Sequence, residues 1–163
     1  MYRHLNTFAI GGLQSVGYVN ESDMLIVLSS QGRGIFNCLT GEKIYRDDYD
    51  WWGDFEQENS LIRGFDGEAG KVIKTFGLYN PNEHMPYQTA EGYQLQLTEP
   101  QPDDPPFEKY LVQSIFISGP PRESKTFVSK DGPCEFRAFG FSETGNSFVV
   151  ASSCELVMWG KTQ

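Results

Sequence analysis

Between Asp47 and Glu58 the chain places six carboxylates and four aromatic rings, with no Lys or Arg among them. The densest part is Asp47-Asp48-Tyr49-Asp50-Trp51-Trp52-Gly53-Asp54. Three chemistries use such residues. Carboxylates at short spacing can line a calcium loop. This run lacks the EF-hand register and its distal bidentate Glu, so no metal is expected. Two carboxyls held at a fixed separation across a cleft hydrolyse glycosides. Asp48 and Asp50 would share a face of an extended strand, although spacing alone sets no such separation. Third, Trp and Tyr supply contact area at low entropic cost, and surrounding carboxylates draw in a basic partner. The expected partner-binding residues are therefore Asp47, Asp48, Asp50, Trp51, Trp52 and Asp54.

Other reactive residues are sparse. His4 and His84 are the only imidazoles, and Cys38, Cys134 and Cys154 the only thiols. There is no Gly-x-Ser-x-Gly elbow and no Cys-x-x-Cys pair. Gln31-Gly32-Arg33-Gly34 is a short turn without the Gly-Lys-Ser/Thr ending of a phosphate loop. These observations predict a protein that is not an enzyme and needs no cofactor. An odd number of widely spaced cysteines suits reduced, packed thiols, and with them a cytoplasmic location. The N-terminal Met1-Tyr2-Arg3-His4-Leu5-Asn6-Thr7 lacks the apolar stretch of a secretory leader.

The global charge narrows the partners. The 163 residues carry a formal charge of −9, with a pI near 4.6. Nucleic-acid binding rests on Lys and Arg neutralising phosphates, so that class is set aside. No uninterrupted apolar window reaches the length of a membrane-spanning helix.

The elements that must position these residues are short strands. Seventeen Gly and nine Pro are spread along the chain and leave little room for helices. An internal repeat organises the rest. Gly17-Tyr18-Val19-Asn20-Glu21-Ser22-Asp23-Met24-Leu25-Ile26-Val27-Leu28-Ser29-Ser30 aligns without a gap on Gly140-Phe141-Ser142-Glu143-Thr144-Gly145-Asn146-Ser147-Phe148-Val149-Val150-Ala151-Ser152-Ser153. In that register Phe36 falls on Trp159. A third copy starts at Gly64-Phe65 and enters Lys71-Val72-Ile73. Each copy reads as an antiparallel meander; in the first, strands at 13–19, 24–29, 35–38 and 43–46 are joined by Gly-bearing turns. Glu99-Pro100-Gln101-Pro102-Asp103-Asp104-Pro105-Pro106 reads as a loop, since Pro cannot donate to a ladder. Residues 107–118 suit helix or strand, and the reading favours a strand from Tyr110, ended by Gly119-Pro120-Pro121.

The stretch 23–46 resembles a blade of the WD-repeat and quinoprotein-like β-propellers. The residues that carry the resemblance are Ser29 to Gly32, Phe36, Asn37 and Thr40-Gly41, with Met158-Trp159-Gly160 closing the second copy. It covers about a third of the chain. Asn37 stands where that family has Asp, Gly160 follows Trp159 where Asp is expected, and no Gly-His pair precedes a blade. The resemblance implies a single all-β domain over residues 1–163, built from about three propeller-like meanders with room for one short helix. Three blades are too few to close a ring, so either two or more chains complete one or the meanders pack as a sandwich or open sheet. In composition the chain is similar to the immunity proteins that neutralise bacterial toxins. That similarity implies an acidic inhibitor of a basic protein partner. The competing expectation is a carbohydrate- or metabolite-binding domain, such as a degenerate glycoside-processing enzyme.

Overall fold

A computed structural model of the chain describes residues 1–120 and 124–163. The chain opens with β1 (Tyr2–Ala9) and continues into a meander of β2 (Leu13–Tyr18), β3 (Met24–Ser29), β4 (Gly32–Asn37) and β5 (Glu42–Asp47). After a 3₁₀ turn at Trp51–Asp54 comes a small sheet of β6 (Phe55–Glu56), β7 (Leu61–Arg63) and β8 (Val72–Lys74), and β9 (Phe76–Gly77) then returns to the free edge of β2. A third sheet takes β10 (Gln94–Leu97), and the β11 (Gln101–Pro102) and β12 (Leu111–Val112) hairpin leads on to its remaining strands, β13 (Ser114–Ser118) and β14 (Lys125–Lys130). The chain ends in β15 (Phe136–Phe141), β16 (Ser147–Ser152) and β17 (Glu155–Lys161). The fold is all-β and antiparallel throughout its named strand pairs.

The two repeats build one sheet twice. β2 and β3 pair Tyr18 with Leu25, Gly17 with Ile26 and Val16 with Val27. β15 and β16 pair Phe141 with Phe148, Gly140 with Val149 and Phe139 with Val150. Both pairs slip at the same point, between Leu13 and Ser15 in one and between Phe136 and Ala138 in the other. Leu25 then faces Phe36 as Phe148 faces Trp159. The repeated glycine has a steric cause in each copy. A Cβ on Gly17 would lie 2.1 Å from the Lys74 carbonyl oxygen, and one on Gly140 2.2 Å from the Met85 Cβ.

The fourth strand of the second sheet comes from the opposite end of the chain. β1 lies against β17 as β5 lies against β4, so the sheet order is β1-β17-β16-β15. Even the bulge is reproduced: Ile44 is skipped in the β4–β5 ladder and Leu5 in the β17–β1 ladder.

Apolar clusters join four sheets in series. Leu25, Val27 and Phe36 on one face of the first meander meet Val149, Ala151, Leu156 and Met158 of the β1/β15–β17 sheet. The other face of that sheet, with Phe148, Val150 and Val157, covers Leu95, Ile115 and Ile117 of the third sheet. The other face of the first meander, with Ile26, Leu28 and Ile35, covers Ile62 and Ile73 of the β6–β8 sheet. Successive side chains of a strand point to opposite faces. Burial on both faces therefore explains the unbroken apolar runs at 24–28 and 148–151.

A polar clasp also joins the two repeats. Asp23 is 7 % exposed. Its Oδ1 accepts from the hydroxyls of Ser142 (2.7 Å) and Ser147 (2.6 Å), and its Oδ2 from the Thr144 hydroxyl (2.8 Å). Ser147 Oγ lies 3.0 Å from the Tyr18 hydroxyl. Beside the clasp, the Glu21 amide donates to Glu143 at 3.0 Å.

Three expectations change. Cys134 and Cys154 are joined by a disulfide, so the all-reduced reading holds for Cys38 alone. Pairing of β15 with β16 brings these cysteines together from 20 residues apart, a proximity that their spacing does not announce. Within the Pro-rich loop, Gln101 and Pro102 pair with Val112 and Leu111, a two-residue edge ladder of the kind in which Pro is tolerated. Among the described residues the helical content is two 3₁₀ turns, Trp51–Asp54 and Asp66–Glu68. Residues Leu111–Val112 and Ser114–Ser118 are strands, as favoured. β13 stops before Gly119 and Pro120, while Pro121 lies outside the described residues. Among the described residues no helix is long and apolar enough to cross a membrane.

Candidate functional site: an acidic, aromatic cleft

The acidic, aromatic run leaves the end of β5 and folds over the Ser29–Gly32 turn. Two of its six candidate residues are used inward. Trp51 is 5 % exposed, and its Nε1–H donates to the Ser29 carbonyl at 2.8 Å. Asp47 accepts from Arg33 Nε at 3.0 and 3.2 Å, from the Tyr45 hydroxyl at 2.6 Å and from the Tyr49 amide at 3.1 Å. Burial pushes the Asp47 carboxyl up. The hydrogen bonds and the Arg33 charge outweigh it and hold the carboxyl below the usual aspartate value. The Arg33 guanidinium lies over the rings of Tyr49 (4.3 Å) and Phe65 (4.0 Å).

The other four lie further out. Asp48 is exposed, Asp54 is half-buried, and Asp50 caps the 3₁₀ turn by accepting from the Trp52 amide at 3.2 Å. Trp52 is 48 % exposed. It is held in an aromatic cluster of tilted rings, with ring centroids 5.4 Å from Tyr79, 5.7 Å from Phe55 and 5.8 Å from Trp51. A cleft of about 440 Å³ opens here, bordered by Asp48, Tyr49, Asp50, Trp52, Tyr79 and Gln14. Among the described residues, no Lys or Arg pairs with Asp48, Asp50 or Asp54.

Sequence reasoning missed Tyr79, Gln14 and Arg33. Tyr79, whose hydroxyl donates to Gln14 Oε1 at 2.9 Å, comes from beyond the β6–β8 sheet, and no local pattern marks it. Arg33 had a signal. It stands directly opposite Asp47 across the β4–β5 hairpin, where opposite charges favour each other.

The arrangement can bind cations through rings and carboxylates, and it lacks an imidazole or thiol partner within the cleft lining. Cys38 is fully buried, with burial pushing its thiol up to about 12, which makes it a packing residue. Among the described residues no three of His, Cys, Asp and Glu converge to hold a metal ion. The fold and site thus define an all-β protein with an acidic, aromatic cleft. Comparison with protein-family models and with curated proteins returns no match.

Proposed function

We propose that this protein is a non-catalytic binding module whose Asp48–Trp52 cleft receives a basic segment of a partner protein. The observation that carries the reading is the exposure of Asp48, Tyr49, Asp50 and Trp52 around one concavity, with neither carboxylate ion-paired within the described residues. Beneath them, the Trp51–Ser29 bond and the Asp47–Arg33 pair fix the backbone, so little ordering entropy is lost on binding. An incoming Arg or Lys can stack on Trp52 and pair with either carboxylate. An immunity-type inhibitor, whose acidic face fills the cationic site of a toxin, is the particular form that the charge of −9 favours. In this reading the four sheets, one of them completed by β1, serve as a propeller-like scaffold. The Cys134–Cys154 bond favours an oxidising compartment over the cytosol, which keeps thiols reduced.

The test is titration with an Arg-rich peptide, followed by tryptophan fluorescence, since Trp52 is half exposed within the cleft. Asp48→Lys with Asp50→Lys should weaken binding at least about tenfold and flatten its salt dependence. Equal affinity and salt slope in the variant would remove the reading. The concavity itself favours a second reading. A cleft of this size with Trp52 and Tyr79 rings beside carboxylates and Gln14 also suits a sugar. A glycan that raises the melting temperature of the wild type and not of Trp52→Ala would select that reading instead.

A further inference from the structure

The geometry points to a second site, independent of the acidic cleft: a hollow between the β1–β2 turn and the β4–β5 hairpin that binds a phosphate-class oxyanion through Lys43 and Arg46. The hollow measures about 100 Å³ and is bordered by Phe8, Gln31, Gly34, Phe36, Lys43 and Arg46. That is the space of about three waters, which suits one tetrahedral oxyanion. Of a chain with 22 carboxylates, none borders it.

The cations are placed there by a local irregularity. In a regular strand, residues 43 and 46 would point to opposite faces. The ladder instead sets Arg46 opposite Gly34 and Lys43 opposite Phe36, with Ile44 bulged out between them. Gly34 and Phe36 share a face, so the bulge turns Lys43 and Arg46 to the same side. Among the described residues, neither cation pairs with a carboxylate or hydrogen-bonds through its side chain. Lys43 Nζ does lie 5.8 Å from the Phe8 ring centroid. Arg33 also borders the hollow, but its guanidinium is engaged with Asp47 and Phe65.

The other repeat serves as an internal control. It has the same ladder and the same bulge, yet the positions of Lys43 and Arg46 hold His4 and Thr7, whose side chains bond each other at 2.8 Å. The position of Gly34 holds Val157, which is buried in an apolar cluster. That copy of the motif therefore lacks the glycine and both cations while keeping the backbone ladder and its bulge. A chain of charge −9 repels anions in general, so binding of one reports on a specific site.

The test is calorimetric titration of the full chain with sodium phosphate, against sodium chloride at matched ionic strength. Saturable phosphate binding without chloride binding is expected. Lys43→Ala and Arg46→Ala should each weaken it about tenfold, the scale of one lost charge-assisted contact. Gly34→Val, which installs the residue of the other copy, should abolish it, whereas Arg63→Ala, at an exposed position outside the hollow, should not change it. Phenyl phosphate distinguishes the sources. Tighter binding than inorganic phosphate assigns the site to an oxyanion carried on an apolar group, through Phe8 and Phe36, and equal binding assigns it to the free ion. Phosphate heats no different from those of chloride, or full affinity in both alanine variants, would overturn the proposal.

Discussion

The Asp23 clasp gives the sharpest test of how the two repeats are held together. In Asp23→Ala, three hydroxyl donors, those of Ser142, Thr144 and Ser147, lose their acceptor at once. Hydrogen bonds to a charged group contribute about 1.5–3 kcal/mol each, or about 5–9 kcal/mol for three if they added independently. Against that stands the desolvation of a carboxylate that is only 7 % exposed, which costs several kcal/mol and disappears in the variant. The net loss should be about 2–4 kcal/mol, and for a domain of this size a fall in melting temperature of about 5–15 °C. Asp23→Asn should cost nearer 1 kcal/mol, because the amide keeps one carbonyl acceptor and a hydroxyl can turn to accept from its NH₂. Urea denaturation followed by tryptophan fluorescence gives the free energies. A double-mutant cycle with Ser142→Ala should be non-additive, since both partners act through one bond. Loss of less than about 0.5 kcal/mol in Asp23→Ala would show that the apolar cluster alone holds the repeats, and the reasoning would fail.

Two further outcomes follow from the same geometry. Reducing the Cys134–Cys154 bond, or replacing both cysteines with serine, frees a loop spanning 20 residues and should lower stability by about 3 kcal/mol. Unchanged thermal unfolding in reductant would contradict it. Asp47 also predicts an acid limb. Its carboxyl is held below the ordinary aspartate value of 3.8, so its contribution is complete above that pH and is lost as pH falls through the lower folded value. Asp47→Asn should therefore be less stable than wild type at neutral pH, with a difference that shrinks below about pH 4. A difference independent of pH would show that the Arg33 and Tyr45 bonds do not depend on the carboxylate charge.

Some of the candidate site was readable because it is local. The Asp50 cap and the exposed, carboxylate-flanked Trp52 lie within one turn of chain, and residue type and spacing suffice to single them out. The division of labour within the run was not readable. Trp51 and Trp52 are adjacent and identical, yet one is buried and bonded to Ser29 while the other is half exposed at the cleft. Which ring turns inward depends on where the Ser29–Gly32 turn passes beneath. Asp47 is likewise indistinguishable from Asp48 until the hairpin register brings Arg33 opposite it.

By itself the sequence determined the local grammar of this protein: short apolar strands, glycine at the turns, and a repeat whose two copies fold with one register and one set of bulges. These follow from interactions between residues close along the chain, where side-chain alternation and turn chemistry act directly. The tertiary structure alone decided what meets across long separations. β1 completes the sheet of β17, Cys134 reaches Cys154, Asp23 gathers three hydroxyls from the far repeat, and Tyr79 closes the cleft. These pairings left no trace in the sequence, because a partner supplied by packing of separate sheets is selected by shape and burial in three dimensions, for which linear spacing carries no signal.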